Sequence, residues 1–289
     1  MFPSGGIILI TFVAAIVNGA LGYGFSSITV PLALFLVSNR VLNPALVAIE
    51  VVLNAYVLWV NRSAIRSVGG RVAPVLAGLV PGIIAGTLVV AQVSPAWVKL
   101  VTYVALLPVI LVQAAGVRRP IRAERTAGSI FGVGLGLLYS VTTISGPPLA
   151  TALNNQGFSP REYRAALGLV RLAESSLTAA AYLTVGLFSH DSLALIPRIV
   201  PSVLVGVPIG AILIRRMSAE TFRRICMSFD AWVVGFGLSM LLRQLRILEG
   251  ATAFTVLAAV VAVDAWLLYR YFGGRLARDL PQRHTDSEV

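Results

Sequence analysis

The feature that most constrains this chain is a succession of long apolar runs, separated by short connections in which most of the arginines lie. A run of roughly 20 apolar residues is long enough to cross the hydrocarbon core of a bilayer as a helix. Only 12% of the residues are charged and 57% are hydrophobic, whereas soluble domains carry roughly 25% charged residues. The sequence therefore predicts an all-α, polytopic membrane protein.

Two of the apolar runs, residues 5 to 37 and 126 to 153, are interrupted by glycine and proline at similar places. The interruptions read Gly22-Tyr23-Gly24-Phe25 with Pro31 in the first run, and Ser145-Gly146-Pro147-Pro148 in the second. Proline lacks a backbone N–H and cannot continue a regular helix. As a helix the second run would be about 42 Å long, which is long for one crossing and short for two. Both runs are predicted to be broken, re-entrant helical hairpins.

The remaining apolar runs predict seven crossing helices. They lie at residues 44–60, 72–91, 98–117, 165–188, 193–214, 225–242 and 250–272.

The distribution of basic residues tests the hairpin prediction, because cytoplasmic loops are enriched in Lys and Arg. If both hairpins return to the side they enter, seventeen of the 23 basic residues face the cytoplasm, five face outside, and Arg171 lies within a span. If the broken runs crossed fully, with the loops before residue 126 oriented as before, the count would be ten against twelve. The charges therefore favour a hairpin for the second run, and the first is predicted from its likeness to the second. The hairpin arrangement puts the N-terminus outside and the C-terminus in the cytoplasm. Orientation also explains the net charge of +11, so nucleic acid is not an expected partner.

Landmarks recur along the chain in the same order, which indicates an internal duplication. The pairs are Pro31 with Pro148, Asn54 with Arg171, and the Gly82-x-x-x-Gly86 motif with Gly206-x-x-x-Gly210. Each predicted half holds one hairpin and three crossing helices, and because three is odd the two repeats are inverted. The boundaries are residues 1–120 and 121–245 for the repeats, 246–272 for an extra helix, and 273–289 for a cytoplasmic tail without its own fold. The alternative is chance likeness between apolar segments.

The two breaks are the predicted substrate-binding region. Unpaired backbone groups at membrane depth are tolerated where they line a cavity, and a helix restarting after Pro148 would present free N–H groups to an anion. Hydroxyl donors flank both breaks: Ser26, Ser27 and Thr29 in the first, and Thr142, Thr143 and Ser145 in the second. The alternative is a pair of tight turns whose hydroxyls are satisfied internally.

Arg171 is the sharpest single candidate, because a central arginine costs about 2.5 to 3.5 kcal/mol on membrane-insertion scales. Glu174 lies three residues further on the same helix face, so a structural pair of Arg171 and Glu174 is one hypothesis. Binding of a substrate oxyanion by the guanidinium is the other, and Asn54 is interpreted as the equivalent residue of the first half.

Other polar residues within the spans have weaker assignments. Glu50 and Glu174 are candidates for a coupling proton, and Glu50 equally suits a packed, hydrogen-bonded structural role. Asp230 and Asp264 have no obvious partner in the sequence. Asn154, Asn155 and Gln156 either line the mouth of the second hairpin or cap it.

Catalysis and cofactor chemistry are not expected. A single cysteine, Cys226, excludes an intrachain disulfide, and with only His190 and His284 beside it a Cys/His metal cluster is not available. Motifs for serine hydrolases, nucleotide binding or zinc proteases do not occur. Gly132-x-Gly134-x-Gly136 lies within an apolar run and is predicted to serve helix packing. We expect neither an enzyme nor a cofactor or a resident metal.

In these glycine and proline motifs, in its two-fold repetition and in its span count, the chain resembles the TauE/SafE family of sulfite-exporter-like membrane proteins. The resemblance implies a secondary carrier of a small anion, chiefly sulfite or an organosulfonate, that exports it across the bacterial inner membrane. The family's duplicated motif falls on eight residues: Gly22, Gly24, Phe25, Pro31, Ser145, Gly146, Pro147 and Pro148.

Alternatives remain at this point. They are a non-transporting membrane partner of a larger complex, and an importer or channel for small organic acids. The expected partners are a small anion and the lipid bilayer. The oligomeric state stays open, with a homodimer as one option.

Overall fold

The computed structural model describes residues 4–114, 125–154, 156, 158–213 and 219–285. Helices account for most of these residues, and the described part contains no strand. The α-helices are α1 (Ser4–Leu21), α2 (Phe25–Ala33), α3 (Asn39–Val60), α4 (Ile65–Gln92), α5 (Pro95–Ala114), α6 (Arg125–Thr142), α7 (Gly146–Asn154), α8 (Pro160–Thr184), α9 (His190–Leu213), α10 (Ala219–Gln244) and α11 (Thr255–Thr285). Short 3₁₀ turns occupy Arg62–Ala64 and Gly250–Phe254.

The all-α, polytopic membrane fold is confirmed. Within the described ranges, five helical stretches are long and apolar enough to cross a membrane: Asn39–Val60, Arg62–Gln92, His190–Leu213, Arg224–Gln244 and Gly250–Tyr271. Helix α8 is long enough as well, but Arg171 and Glu174 lower its mean hydropathy. The predicted span 98–117 extends past the described part of α5. Large apolar side chains cover the outside, as Trp59 and Leu204 show with exposures of 67% and 68%, and such a surface suits lipid.

The first three helices of each half repeat with a constant offset of 121 residues, the separation between Glu50 and Arg171. Helices α1 and α6 end at equivalent positions, and α2 and α7, like α3 and α8, begin at equivalent positions. The turn that ends the first helix recurs too. Gly22 N donates to Asn18 O at 2.7 Å, and Thr143 N donates to Tyr139 O at 2.6 Å.

This offset corrects the predicted alignment of the two halves. Pairing Pro31 with Pro148 implied an offset of 117, which made Asn54 the equivalent of Arg171. In the structure Pro31 lies late in α2, whereas Pro148 lies in the first turn of α7, so the two prolines are not equivalent. The residue equivalent to Arg171 is Glu50.

The helices of the two halves interlock, and the packing repeats as the helix bounds do. Helix α4 packs on α6, and its equivalent α9 packs on α1; α3 packs on α8, and α5 on α10. Glycines permit the close approach: a Cβ at Gly82 would lie 2.1 Å from Val133 O, and one at Gly210 would lie 1.8 Å from Ile16 O. Gly132 and Gly136 likewise face the α4 backbone, as predicted for helix packing, whereas a Cβ at Gly134 would meet nothing within 4 Å.

The last helix extends beyond the predicted span. Helix α11 continues to Thr285, so residues 273–285 prolong a helix instead of forming a tail without structure. Residues 286–289 lie outside the described part of the chain.

Candidate functional site

A buried ion pair joins the two central helices. Arg171 Nη2 on α8 lies 2.7 Å from Glu50 Oε1 on α3, and the two side chains are 3% and 0% exposed. The pair connects equivalent positions of the two halves. In a two-fold arrangement, equivalent residues touch each other only close to the symmetry axis. The ion pair therefore marks the centre of the duplicated fold.

The carboxylate of Glu50 is fully hydrogen-bonded. Ser26 Oγ, from the first turn of α2, donates to Oε1 at 2.7 Å. The Tyr139 hydroxyl, from the end of α6, donates to Oε2 at 2.7 Å. Both hairpins therefore contact the ion pair, and four helices meet at one carboxylate. These partners meet the hydrogen-bonding needs of the buried carboxylate.

The predicted pair between Arg171 and Glu174 is wrong as an ion pair. Their spacing does put them on one face of α8, but the guanidinium reaches across to α3 and pairs with Glu50. Glu174 instead accepts a hydrogen bond from Ser145 Oγ, at the start of the second hairpin's short helix, at 2.5 Å. Each hairpin thus places one serine on one central glutamate.

Several buried polar atoms on one face of α8 have no hydrogen-bond partner among the described residues. They are Arg171 Nε, Arg171 Nη1, Glu174 Oε1 and Thr178 Oγ1. The three residues are at most 2% exposed. A buried polar group without a partner costs about 1–3 kcal/mol and calls for an explanation. A small polar ligand that accepts from the guanidinium would supply one.

The first hairpin turns on two glycines in the left-handed region. Gly22 has φ 80° and Gly24 has φ 107°, which favour residues without a side chain. Helix α2 then starts at Phe25, and its first intrahelical bond runs from Ile28 N to Gly24 O. The amides of Phe25, Ser26 and Ser27 precede that bond and have no intrahelical acceptor. Next to Arg171, they add positive electrostatic potential.

The second hairpin corrects the prediction of an amide cradle after Pro148. Helix α7 starts earlier, at Gly146, so Pro147 and Pro148 fill its first turn and contribute no N–H groups. The next amide, Leu149 N, donates to Ser145 O at 3.0 Å. This helix start has little hydrogen-bonding capacity to offer an anion.

The threonines of the second break are also engaged locally. Thr142 Oγ1 donates to Leu138 O at 2.7 Å, and Thr143 Oγ1 donates to Thr142 O at 2.7 Å. The two breaks are nevertheless neighbours, since a Cβ at Gly146 would lie 3.2 Å from Tyr23 Cβ. The two hairpins are therefore in contact, but the first has backbone amides without an intrahelical acceptor at its helix start, whereas the threonine hydroxyls of the second bond to nearby carbonyls.

Other predicted residues lie around this centre in supporting positions. Asn54 Nδ2 donates to the backbone oxygen of Arg171 at 3.3 Å, and Pro31 O accepts from the Tyr103 hydroxyl at 3.0 Å. Gln156 O accepts from Arg71 Nη2 at 2.5 Å at the surface. Asn155 lies outside the described residues, and the side chain of Asn154 is not described.

The two intramembrane aspartates lie on the outer helices. Asp264 accepts from Ser228 Oγ and from Trp232 Nε1, both at 2.9 Å, so it has the partners that the sequence did not indicate. Asp230 is buried on α10. In the described structure neither aspartate is a hydrogen-bond partner of Glu50 or Arg171.

Sequence reasoning missed Tyr139, a member of the central region, and Asn18, the residue equivalent to it in the first half. Tyr139 reaches Glu50 directly. Asn18 occupies the equivalent position of the first half and is 2% exposed. Each accepts the backbone bond that closes its hairpin's first helix. An alignment of the two halves with the correct offset would have identified both residues as candidates.

Comparison with known proteins identifies a protein family. The family model described as sulfite exporter TauE/SafE matches residues 7–240, most of the chain. No curated protein and no solved structure matches.

Proposed function

This chain belongs to the sulfite exporter TauE/SafE family of membrane transporters, and we propose that it is a secondary carrier that exports a small oxyanion. The substrate class is sulfite, an organosulfonate or a related small acid. The observation that carries the proposal is Arg171, a buried cation next to both hairpins whose Nε and Nη1 have no partner in the described structure.

The surroundings of Arg171 favour a small anion over a neutral ligand. A guanidinium is well shaped for an oxyanion, and the start of α2 adds amides close to it. Ser26 connects the two elements, because its hydroxyl donates to the same carboxylate oxygen as Arg171. Small oxyanions match these donors in size and charge.

Alternating access is supported by the interlocked repeats. Inverted repeats let a central site open to one side and then to the other as one bundle rocks against the other. Glu50 and Arg171 occupy equivalent positions at the axis, so a site beside them would lie at the pivot of such a movement. Their burial corresponds to an occluded state.

The arginine distribution supports the orientation of the carrier. With both hairpins returning to the side they enter, the C-terminus is cytoplasmic. The proposed location is the bacterial inner membrane, from which the carrier would release the anion outward.

Charge balance supports Glu174 over Glu50 as the residue that takes up a coupling proton. The cluster holds two carboxylates and one guanidinium, so a bound anion would add to a net negative charge. Glu50 is held by Arg171 and by two hydroxyls. Glu174 has one hydroxyl donor, and its Oε1 has no partner among the described atoms. A coupling proton would bind at this unpaired Oε1 of Glu174. The ionisable groups around Glu174 are Arg171 on its own helix, Glu50 on α3 and Tyr139 on α6.

The test is anion flux by the purified protein in proteoliposomes. Wild type is expected to carry sulfite or a small sulfonate, and Arg171→Gln is expected to lose that flux. Because the single change leaves Glu50 unpaired, the Glu50→Gln/Arg171→Gln double variant removes both charges and controls for folding. Asp264→Asn changes a buried carboxylate away from the site and should keep its flux once folded. Unchanged flux in a folded Arg171 variant would refute the site.

A further inference from the structure

The constant offset between the two halves relates two contacts across the central axis. Position 139 is equivalent to position 18, and position 50 is equivalent to position 171. The contact of Tyr139 with Glu50 therefore predicts that Asn18 faces Arg171. The inference drawn from this relation rests on the proposed anion carrier.

The two equivalent positions differ in side-chain length. The Tyr139 ring spans the distance from α6 to α3 and places its hydroxyl 2.7 Å from Glu50 Oε2. Asn18 on α1 is much shorter than a tyrosine. Its side chain therefore does not reach from α1 to Arg171 on α8 as Tyr139 reaches from α6 to Glu50 on α3. Asn18 Oδ1 makes no hydrogen bond within the described structure, and the same holds for Arg171 Nε and Nη1.

We propose that the oxyanion binds between Asn18 and Arg171, in the space that the Tyr139 phenol fills in the other half. Arg171 donates to the anion through the nitrogens that Glu50 leaves free. The Asn18 amide contributes an N–H donor, and its oxygen can accept from a ligand hydroxyl or from water. The protein thus has one anion site, on the α1 side of the axis, and a filled equivalent on the α6 side.

This placement also limits the size of the ligand. The volume by which a tyrosine side chain exceeds an asparagine is comparable to that of sulfite or of a sulfonate head group. A sugar-sized anion would exceed this volume in a densely packed interior. The site therefore selects the smallest oxyanions.

Two substitutions at Asn18 test the proposal, with sodium sulfite as the ligand and thermal stability of the purified protein as the readout, at constant ionic strength. A ligand that binds the folded state raises its apparent melting temperature. Asn18→Tyr places at position 18 the residue found at the equivalent position 139. The phenol should fill the proposed anion site, so sulfite should no longer stabilise this variant. Asn18→Ala keeps the space but removes the amide, and should weaken sulfite binding about tenfold, as expected for one hydrogen bond to a charged group.

The outcomes separate this inference from the proposed function. If sulfite and small sulfonates fail to stabilise wild type, the anion carrier itself is refuted. If wild type responds, and both Asn18 variants respond with the wild-type affinity, the carrier survives and the Asn18 site is refuted. If Asn18→Tyr does not fold, the affinity of Asn18→Ala for sulfite decides whether Asn18 belongs to the site, because that variant does not overfill the core.

Discussion

The two hairpins follow the same backbone path with different side-chain chemistry. In the first, Gly22 and Gly24 turn the chain and α2 begins with three amides that have no intrahelical acceptor. In the second, Thr143 takes the positive φ of 56° in place of Gly22, and two prolines fill the start of α7. The two hairpins thus share a path, but the first presents amide donors at its helix start and the second fills that start with prolines.

The central helices differ in the same way. Equivalent positions that touch across a two-fold axis would carry like charges if the halves were identical, and two buried like charges repel. Here one copy has Glu50 and the other has Arg171, so the contact became an ion pair. The difference replaces a repulsive contact with an ion pair, and the proposed function assigns its cation, Arg171, to the substrate.

The largest expected effect comes from changing the central charges. Glu50→Arg places two guanidinium groups in contact and leaves no acceptor for Arg171, which should destabilise the protein by at least about 3–5 kcal/mol. The charge-swapped Glu50→Arg/Arg171→Glu variant restores the pair, because the two positions are equivalent. Thermal unfolding in detergent should show most of the lost stability recovered. A swap that is no more stable than the single change would argue against the equivalence.

A smaller effect distinguishes the two turns. Gly24→Ala forces a side chain into a positive-φ conformation and brings its Cβ within 3.2 Å of Val17 Cγ1, so we expect a loss of about 1–2 kcal/mol. Thr143, the equivalent of Gly22, carries the positive φ of the second turn, and Thr143→Gly relieves its strain. Because glycine has a more flexible unfolded state, that variant should change stability by less than about 1 kcal/mol. An equal loss of stability in Gly24→Ala and Thr143→Gly would contradict this difference between the two turns.

The smallest effect concerns the starts of α3 and α8, where Ser38 and Ser159 are equivalent N-cap residues. Ser38 makes no side-chain cap hydrogen bond. The Ser159 side chain accepts from the Glu162 amide, and the Glu162 side chain accepts from the Ser159 amide, which completes a capping box. The hydrogen bond from the Ser159 backbone amide lowers the pKa of Glu162 below its usual 4.5. A lowered folded-state pKa means that this contribution is present above the unfolded pKa and is lost as the pH falls through the folded one.

The contribution of the capping box to stability should therefore decrease slightly as the pH is lowered from the unfolded-state pKa of Glu162 to its folded-state pKa. Thermal melts of wild type and Glu162→Gln across acidic pH provide the measurement. Because Glu162 is exposed, the difference between the two proteins should be small and confined to that window. An identical pH profile in both proteins would contradict the assignment.

The sequence predicted the helices, the two breaks and the duplication, because run length, glycine and proline report on local backbone behaviour. It did not predict the offset, since Pro31 and Pro148 look alike but occupy different turns of their helices. Without the offset, Glu50 and Arg171 appear as unrelated charges far apart in the chain. The spacing of Arg171 and Glu174 likewise reported a shared helix face, whereas the choice of ion-pair partner depended on how α3 packs against α8.

Sulfite flux by the charge-swapped variant tests most directly whether the anion site belongs to one half only. In that variant the guanidinium is on α3, beside Tyr139, where the phenol leaves no space for a ligand. The account predicts a folded protein that carries no sulfite in proteoliposomes while wild type does. Sulfite flux at the wild-type rate in the folded, charge-swapped protein would contradict it.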